Sequence, residues 1–290
     1  MFDFTFEAMG TVLSVRVLNQ VSPILQEKIR QEILDFTVFY DESFSRFKKE
    51  SLVTKISEKE GKHIVPKILV EMLRMYEDFN LVTEGAMNPL IGNTISDLGY
   101  DSDYTLRKKE SVRSTPKLFE TLQILSDTEI QTKEPVLIDI GALGKGFWVD
   151  QVGNILEKNK ISHYIVNGSG DILYKTDQTE SLSVALEDPV NGRDYIGNTK
   201  ILNEALCGSG VNKRNWSVKD TDNLHHVIDA NINLPTENVL AVWVKAKTCT
   251  LADGLATALF FTSPDKLLEK YSFEYYIIYS DKEVLASKNF

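Results

Sequence analysis

Asp253 and Thr257 stand one helical turn apart in the apolar run 250–261, so a helix there places both side chains on one face. Leu251, Leu255, Leu259 and Phe260 supply its buried side. A carboxylate and a hydroxyl on one face make an oxygen pair for a hard cation such as Mg²⁺. That ion takes one or two protein carboxylates and keeps its other places for phosphate and water. The same residues also read as an acid in the first helical turn, complementing the helix dipole by about 0.3–1 kcal/mol, beside a threonine bonded back to a carbonyl. The second constellation is the stretch 136–150, in which Gly141, Gly144 and Gly146 interrupt an apolar run and Lys145 adds a cation. It reads as a buried strand, a glycine turn and a helix, and free N–H groups at such a helix start attract anions. The spacing matches neither Walker A nor GxGxxG, so a tight turn with a surface lysine is the other reading. His225 and His226 form the third. Adjacent side chains on a strand point to opposite faces, so at most one of them enters a site. Cys207 beside Gly208-Ser209-Gly210 is the fourth, but no nucleophile-elbow pattern surrounds it.

These residues need elements to position them. Residues 2–17 alternate as two strands interrupted at Met9-Gly10-Thr11, and Ser22-Pro23 opens a helix with an N-cap serine and a proline at its first position. A second helix follows Pro66 and ends near Gly85, and residues 85–95 are too interrupted for regular structure. Residues 101–134 are charged and weakly patterned, which predicts a peripheral excursion with at most a short helix at 118–122. A hairpin is expected across Gly168-Ser169-Gly170, with strands at 182–186, 206–210, 239–245, 274–279 and 284–287. Strands and helices mix without regular alternation, so the expected class is α+β, with mixed or antiparallel sheets packed against helices in one domain spanning residues 1–290.

Composition narrows the function. The 290 residues are 42% hydrophobic and 26% charged, with a formal net charge of -10. So acidic a chain lacks the electrostatic footprint of a nucleic-acid binder. The only two cysteines, Cys207 and Cys249, have no CxxC spacing, which suits a reducing compartment and outlines no disulfide framework. No basic region followed by an apolar run opens the chain, and no stretch approaches the ~20 apolar residues of a membrane span, so the cytoplasm is the expected compartment.

Eight segments in order resemble the FAD:protein FMN transferase (ApbE-like) family. They are Ala8-Met9-Gly10-Thr11; Phe44-Ser45-Arg46-Phe47 with Ser51; Gly85-Ala86-Met87-Asn88-Pro89; Asp139-Ile140-Gly141-Ala142-Leu143-Gly144-Lys145-Gly146 with Asp150; Asn167-Gly168-Ser169-Gly170-Asp171; Gly208-Ser209-Gly210; His226-Val227-Ile228-Asp229; and Ala252-Asp253-Gly254-Leu255-Ala256-Thr257-Ala258. The resemblance implies an ApbE-like (T-fold-like) architecture and transfer of the FMN half of FAD onto a threonine or serine of a target flavoprotein, with release of AMP. It also implies that Asp253, Thr257 and the carbonyl of Ala142 hold Mg²⁺. Met9, Phe47, Ala86, Met87, Asn88, Asp139, Lys145 and His226 then occupy FAD-contact positions. Lys145, Asp253 and His226 carry the chemistry, with Lys145 and the turn N–H groups neutralising phosphate and His226 as the base. Departures fall at Phe47 (tyrosine in the family), Asn88 (aspartate), Ser57 (asparagine) and residues 230–234 (Pro-Arg-Thr-Gly), all in segments expected to touch substrate. Alternatives of the same pocket are an FAD pyrophosphatase and a flavin-binding paralogue without turnover.

Overall fold

The computed structural model describes the whole chain except residues 193, 212–214 and 219–221. Its centre is an eight-stranded sheet whose strands follow one another in chain order, each antiparallel to the next: Phe2–Ala8, Thr11–Val17, Tyr164–Asn167, Ile172–Lys175, Ala205–Gly210, Val239–Ala246, Glu274–Tyr279 and Val284–Ala286. The alternation expected of half-buried strands is visible in Thr11–Val17, where Leu13, Val15 and Val17 are buried and Val12 and Arg16 face solvent. The chain leaves this meander to build everything else, and the excursions cover both faces.

On one face lie three helices, Pro23–Phe44, Gly144–Lys158 and Cys249–Ala258. The first buries Ile29, Ile33, Thr37, Tyr40 and Phe44, a stripe at helical spacing. The hydroxyl of Ser22 caps it, accepting from the Leu25 N–H, and Pro23 fills the first position. The opposite face is covered by the hairpin Leu182–Glu187 and Tyr195–Ile201, which packs Leu186 and Ile201 onto Tyr174 and Leu206. Among the described residues no helix is long and apolar enough to cross a membrane.

Three expectations change. Residues 136–140 run extended but join no sheet. Their partner is the 3-10 turn Pro89–Ile91 and the helix Gly92–Asp97, reached through the backbone bonds Asp139 N–H to Pro89 O (2.8 Å) and Gly92 N–H to Leu137 O (3.2 Å). That turn and helix also supply regular structure where residues 85–95 promised none. Residues 118–132 hold the short helix Leu118–Thr121 and two unexpected strands, Leu122–Ser126 and Glu129–Thr132, which pair beside Gly61–Ile64.

The segment after Asp97 is tied back to the body by that residue's buried carboxylate. It accepts from Lys109 Nζ (2.7 Å) and, in a fork, from Arg113 Nε (2.6 Å) and Nη2 (2.8 Å). Burial alone would raise the Asp97 pKa, but these partners outweigh it and hold the carboxyl down at about 2. A depressed folded-state pKa stabilises above the ordinary carboxylate range and is lost as the group protonates. Protection of the amides in residues 97–116, measured against their intrinsic exchange rates, is therefore expected to fall locally as pH drops from about 4 towards 2, and in Asp97→Asn to be low already at neutral pH.

Candidate active site

Two helices cap each other at the centre of the site. Asp150, on the Gly144–Lys158 helix, accepts the N–H groups of Cys249 and Thr250 (both 2.8 Å) and the Thr250 hydroxyl (2.5 Å), at the start of the Cys249–Ala258 helix. Asp253, on that second helix, accepts the Gly146 N–H (2.9 Å) at the start of the first. Each carboxylate thus satisfies donors that a helix start leaves open. The exchange needs close contact, and Gly146 permits it: a Cβ there would stand 2.3 Å from the Cys249 carbonyl oxygen and 2.8 Å from the Asp253 Cβ. Gly146→Ala is expected to push the helices apart, lowering Tm and loosening Asp253, with a cost of about 1–3 kcal/mol readable by denaturant unfolding.

Lys145 lies between two buried acids. Its ammonium donates to Asp171 and stands 3.9 Å from Asp253 Oδ1. Burial works against its charge, but the fields of Asp171 and then Asp253 prevail, and its pKa is raised well above the usual lysine value. Asp171 is buried, and its Oδ1 has no hydrogen-bond partner among the described residues. One cation between two carboxylates leaves the cluster one negative charge in excess.

The turn 139–144 closes on itself. Gly141 N–H donates to Asp139 Oδ1 (2.6 Å), Ala142 N–H to the Tyr76 hydroxyl (3.2 Å) and Gly144 N–H to Ile140 O (2.8 Å), while Gly146 N–H is taken by Asp253. The Tyr40 hydroxyl donates to Gly144 O (2.8 Å). Burial pushes both tyrosines well above their usual pKa, so they stay neutral hydrogen-bonding posts. The expected anion cradle is therefore corrected, since these donors are spent inside the protein and the turn faces a surplus of negative charge. Its Ala142 carbonyl accepts from Thr257 Oγ1 (3.2 Å). Asp253 also departs from expectation. The helix begins at Cys249, capped by the Thr248 hydroxyl, so Asp253 lies beyond the first turn and does not serve that helix's own dipole.

Asp253, Thr257 and Ala142 present only oxygen donors, one of them ionised, beside that surplus charge. Among the described residues no three His, Cys, Asp or Glu side chains gather as a metal cluster. A donor set with a single carboxylate suits a hard ion that keeps substrate oxygens and water, and does not suit zinc.

Asp253, Thr257, Ala142 and Lys145 border one cavity of about 590 Å³, whereas Asp150 and Asp171 stand behind its wall. Met9, Phe47, Ala86, Met87, Asn88, Asp139, Ala142, Lys145, His226, Asp253 and Thr257, scattered over the chain, line it together. Of the histidine pair only His226 lines it. His225 is buried, with Nε2 2.7 Å from the Thr236 carbonyl oxygen and Nδ1 accepting from Val227 N–H, which assigns a neutral ring protonated on Nε2. Burial lowers its pKa against the opposing pull of the Thr236 carbonyl.

The departures divide. Phe47 and Asn88 line the cavity, but Ser57 and residues 230–234 do not. Ser57 ends the Leu52–Ile56 helix, its hydroxyl donating to Thr54 O (2.6 Å). Asn233 accepts from Thr115 N–H in a left-handed turn, a conformation asparagine tolerates. Asn88 has a structural reason to be an amide. Its Oδ1 caps Leu90 N–H and its Nδ2 donates to Pro116 O (both 2.9 Å), a bond no carboxylate supplies.

Sequence reasoning assigned no role to Asp150, Asp171 or Arg46, although all three lie in segments that carry the resemblance. Arg46 donates to Asp139 Oδ2 (2.5 Å) and to Tyr100 O (2.7 Å), fixing the carboxylate in the cavity wall. An acid six residues into its own helix, or directly after a glycine turn, gives no periodic signal of what it binds. Cys207 is not a nucleophile here. It is fully buried, its Sγ 3.2 Å from that of Cys249, outside the cavity lining, and burial above all pushes its thiol well above the usual pKa. Burial likewise takes Cys249 up to about 12. The two cysteines without CxxC spacing are thus neighbours in space.

The antiparallel meander with its covering helices is a known fold. The ApbE protein of Thermotoga maritima matches it with a TM-score of 0.84 at 21% identity, over 99% of this chain and 97% of that one. The flavin transferase ApbE of Vibrio cholerae matches with a TM-score of 0.79 at 19% identity, over 100% and 97% of the two chains. The model of the ApbE family matches residues 9–276, and the chain belongs to that family. Among curated relatives, the FAD:protein FMN transferase of Haemophilus influenzae is 27% identical over 288 residues, covering 91% of this chain and 81% of that protein. The FAD:protein FMN transferase of Vibrio cholerae is 24% identical over 266 residues, covering 87% and 78%.

Proposed function

We propose that this chain transfers the FMN half of FAD to a threonine or serine hydroxyl of an acceptor flavoprotein, releasing AMP in a Mg²⁺-dependent reaction. The observation that carries the reading is the oxygen cluster of Asp253, Thr257 and Ala142 in the wall of a cavity sized for a nucleotide. Membership of the ApbE family and relatives named as FAD:protein FMN transferases support it.

Asp253, Thr257 and the Ala142 carbonyl would hold Mg²⁺. When bound, the ion supplies Lewis-acid polarisation and charge neutralisation for the pyrophosphate. Lys145 is committed to Asp171 and Asp253, so its task is to tune the charge at the metal face. Asp139, held by Arg46, borders the nucleotide with Met9, Phe47, Ala86, Met87 and Asn88. In the reaction the acceptor oxygen bonds to the flavin-side phosphorus and the bond from that phosphorus to the bridging oxygen breaks. AMP carries that oxygen away, and the hydroxyl proton passes to a base, for which His226 at the cavity wall is our assignment.

Incubation with FAD, Mg²⁺ and a candidate acceptor tests the reading. AMP release with an equal gain of FMN mass on the acceptor is expected. AMP with free FMN would instead establish an FAD pyrophosphatase, and bound flavin without AMP a binding protein.

A further inference from the structure

An aromatic row runs through the body to the cavity and ends in an open ring. Trp216, anchored by its indole N–H on Leu98 O (3.0 Å), stacks on Tyr100 with ring centroids 5.7 Å apart. Tyr100 meets Phe47 edge-on at 5.4 Å and Tyr104 edge-on at 5.6 Å. Phe47 and Tyr104 are parallel to within 2°, with centroids 5.1 Å apart, and the Arg46 guanidinium lies 4.2 Å from the Phe47 centroid. Phe47, Tyr100 and Tyr104 all line the cavity. The last of them, Tyr104, is 52% exposed, which leaves one end of the stack uncovered.

The loop that carries Tyr104 is built to hold it there. Tyr104 and Leu106 both have left-handed backbones (φ 50° and 51°), which non-glycine residues adopt only at a cost. The Asp101 carboxylate secures the tip, accepting from Asp103 N–H, Thr105 N–H and the Thr105 hydroxyl. Leu106 N–H closes the loop on Gly99 O (2.9 Å), and Lys109 and Arg113 lock its far side onto Asp97. The Tyr104 hydroxyl reaches across to the Met9-Gly10-Thr11 turn, 3.8 Å from where a Cβ on Gly10 would stand.

We infer that Tyr104 is a ligand-binding residue, the terminal platform on which a planar heteroaromatic ring of the dinucleotide stacks. This rests on the FAD reading above and adds to it an element from outside the eight segments that carry the resemblance. An open π-face at the end of an anchored row offers dispersion and quadrupole contact to any flat ring, whether isoalloxazine or adenine. The hydroxyl is not required for that contact, whereas the ring is.

Equilibrium binding of FAD, FMN and ADP to the full chain, and to Tyr104→Ala and Tyr104→Phe, tests this. Loss of one base–aromatic stack predicts FAD binding about 5- to 100-fold weaker in Tyr104→Ala. Tyr104→Phe is expected to stay within about twofold of wild type, because it keeps the ring. The matching loss falls on FMN if the flavin stacks there and on ADP if the adenine does. Unchanged FAD affinity in Tyr104→Ala, or equal losses in Tyr104→Ala and Tyr104→Phe, would overturn the inference alone. Wild-type protein that takes up no FAD would overturn the functional reading and this inference with it.

Discussion

Asp253→Asn is expected to abolish Mg²⁺-dependent turnover while the protein stays folded. Asparagine keeps the shape of the side chain and an oxygen to accept the Gly146 N–H, so the junction between the two helices survives. What it removes is the charge. With Asp253 neutral, the cluster of Lys145, Asp171 and residue 253 carries no surplus negative charge, and the reason for a cation to bind beside Thr257 and Ala142 disappears. Even outer partners of a metal are worth about 10–100-fold, so loss of the one ionised ligand should exceed about a hundredfold in kcat/KM. Calorimetric titration with Mg²⁺ and the turnover rate read this together with Tm. Undiminished turnover would remove Asp253 from the metal set. Alanine is a poorer probe, because it also opens the Gly146 N–H that Asp253 satisfies.

Lys145→Met acts on stability more than on binding. Asp171 is buried, its Oδ2 engages Lys145, and its Oδ1 finds no partner among the described residues. Removing the cation leaves two carboxylates uncompensated, a loss of about 3–5 kcal/mol when one member of a buried pair is deleted. For a chain of this size that lowers Tm by roughly 10 °C. Adding Asp171→Asn to the same protein is expected to restore most of the loss, since the surviving charge is then Asp253 alone. Thermal unfolding of the two single variants and the double variant measures the coupling. An unchanged Tm in Lys145→Met would show that the lysine is free to serve the ligand instead.

The residues expected at the site do meet at one cavity, because motif segments name which side chains gather even when the path between them is opaque. The sheet was legible for a similar reason: its strands alternate, and its hairpin turns on glycine. The connections were harder to read. Residues 136–140 carry an apolar run, yet their neighbour is a 3-10 turn opened by Pro89, so no ladder forms. The turn after them has the glycines of an anion cradle, but Tyr76, Asp139 and Asp253 consume its donors, and no local pattern reveals Tyr76 and Asp253, which lie 66 and 107 residues from the groups they engage. Lys145 looked like a phosphate ligand for the same reason, since Asp171, which claims it, lies 26 residues on. Tyr104 was out of reach altogether, at the tip of a charged segment without periodicity.

The central claim is phosphoryl transfer to a protein hydroxyl at the face formed by Asp253, Thr257 and Ala142. It is tested most directly by running the reaction with FAD, Mg²⁺ and acceptor in heavy-oxygen water and weighing the products. The account predicts that the acceptor gains one FMN unit, that AMP is released in equal amount, and that neither carries heavy oxygen, because the attacking oxygen belongs to the acceptor. One heavy oxygen in free FMN or AMP, with the acceptor unmodified, would show that water is the nucleophile and contradict the claim.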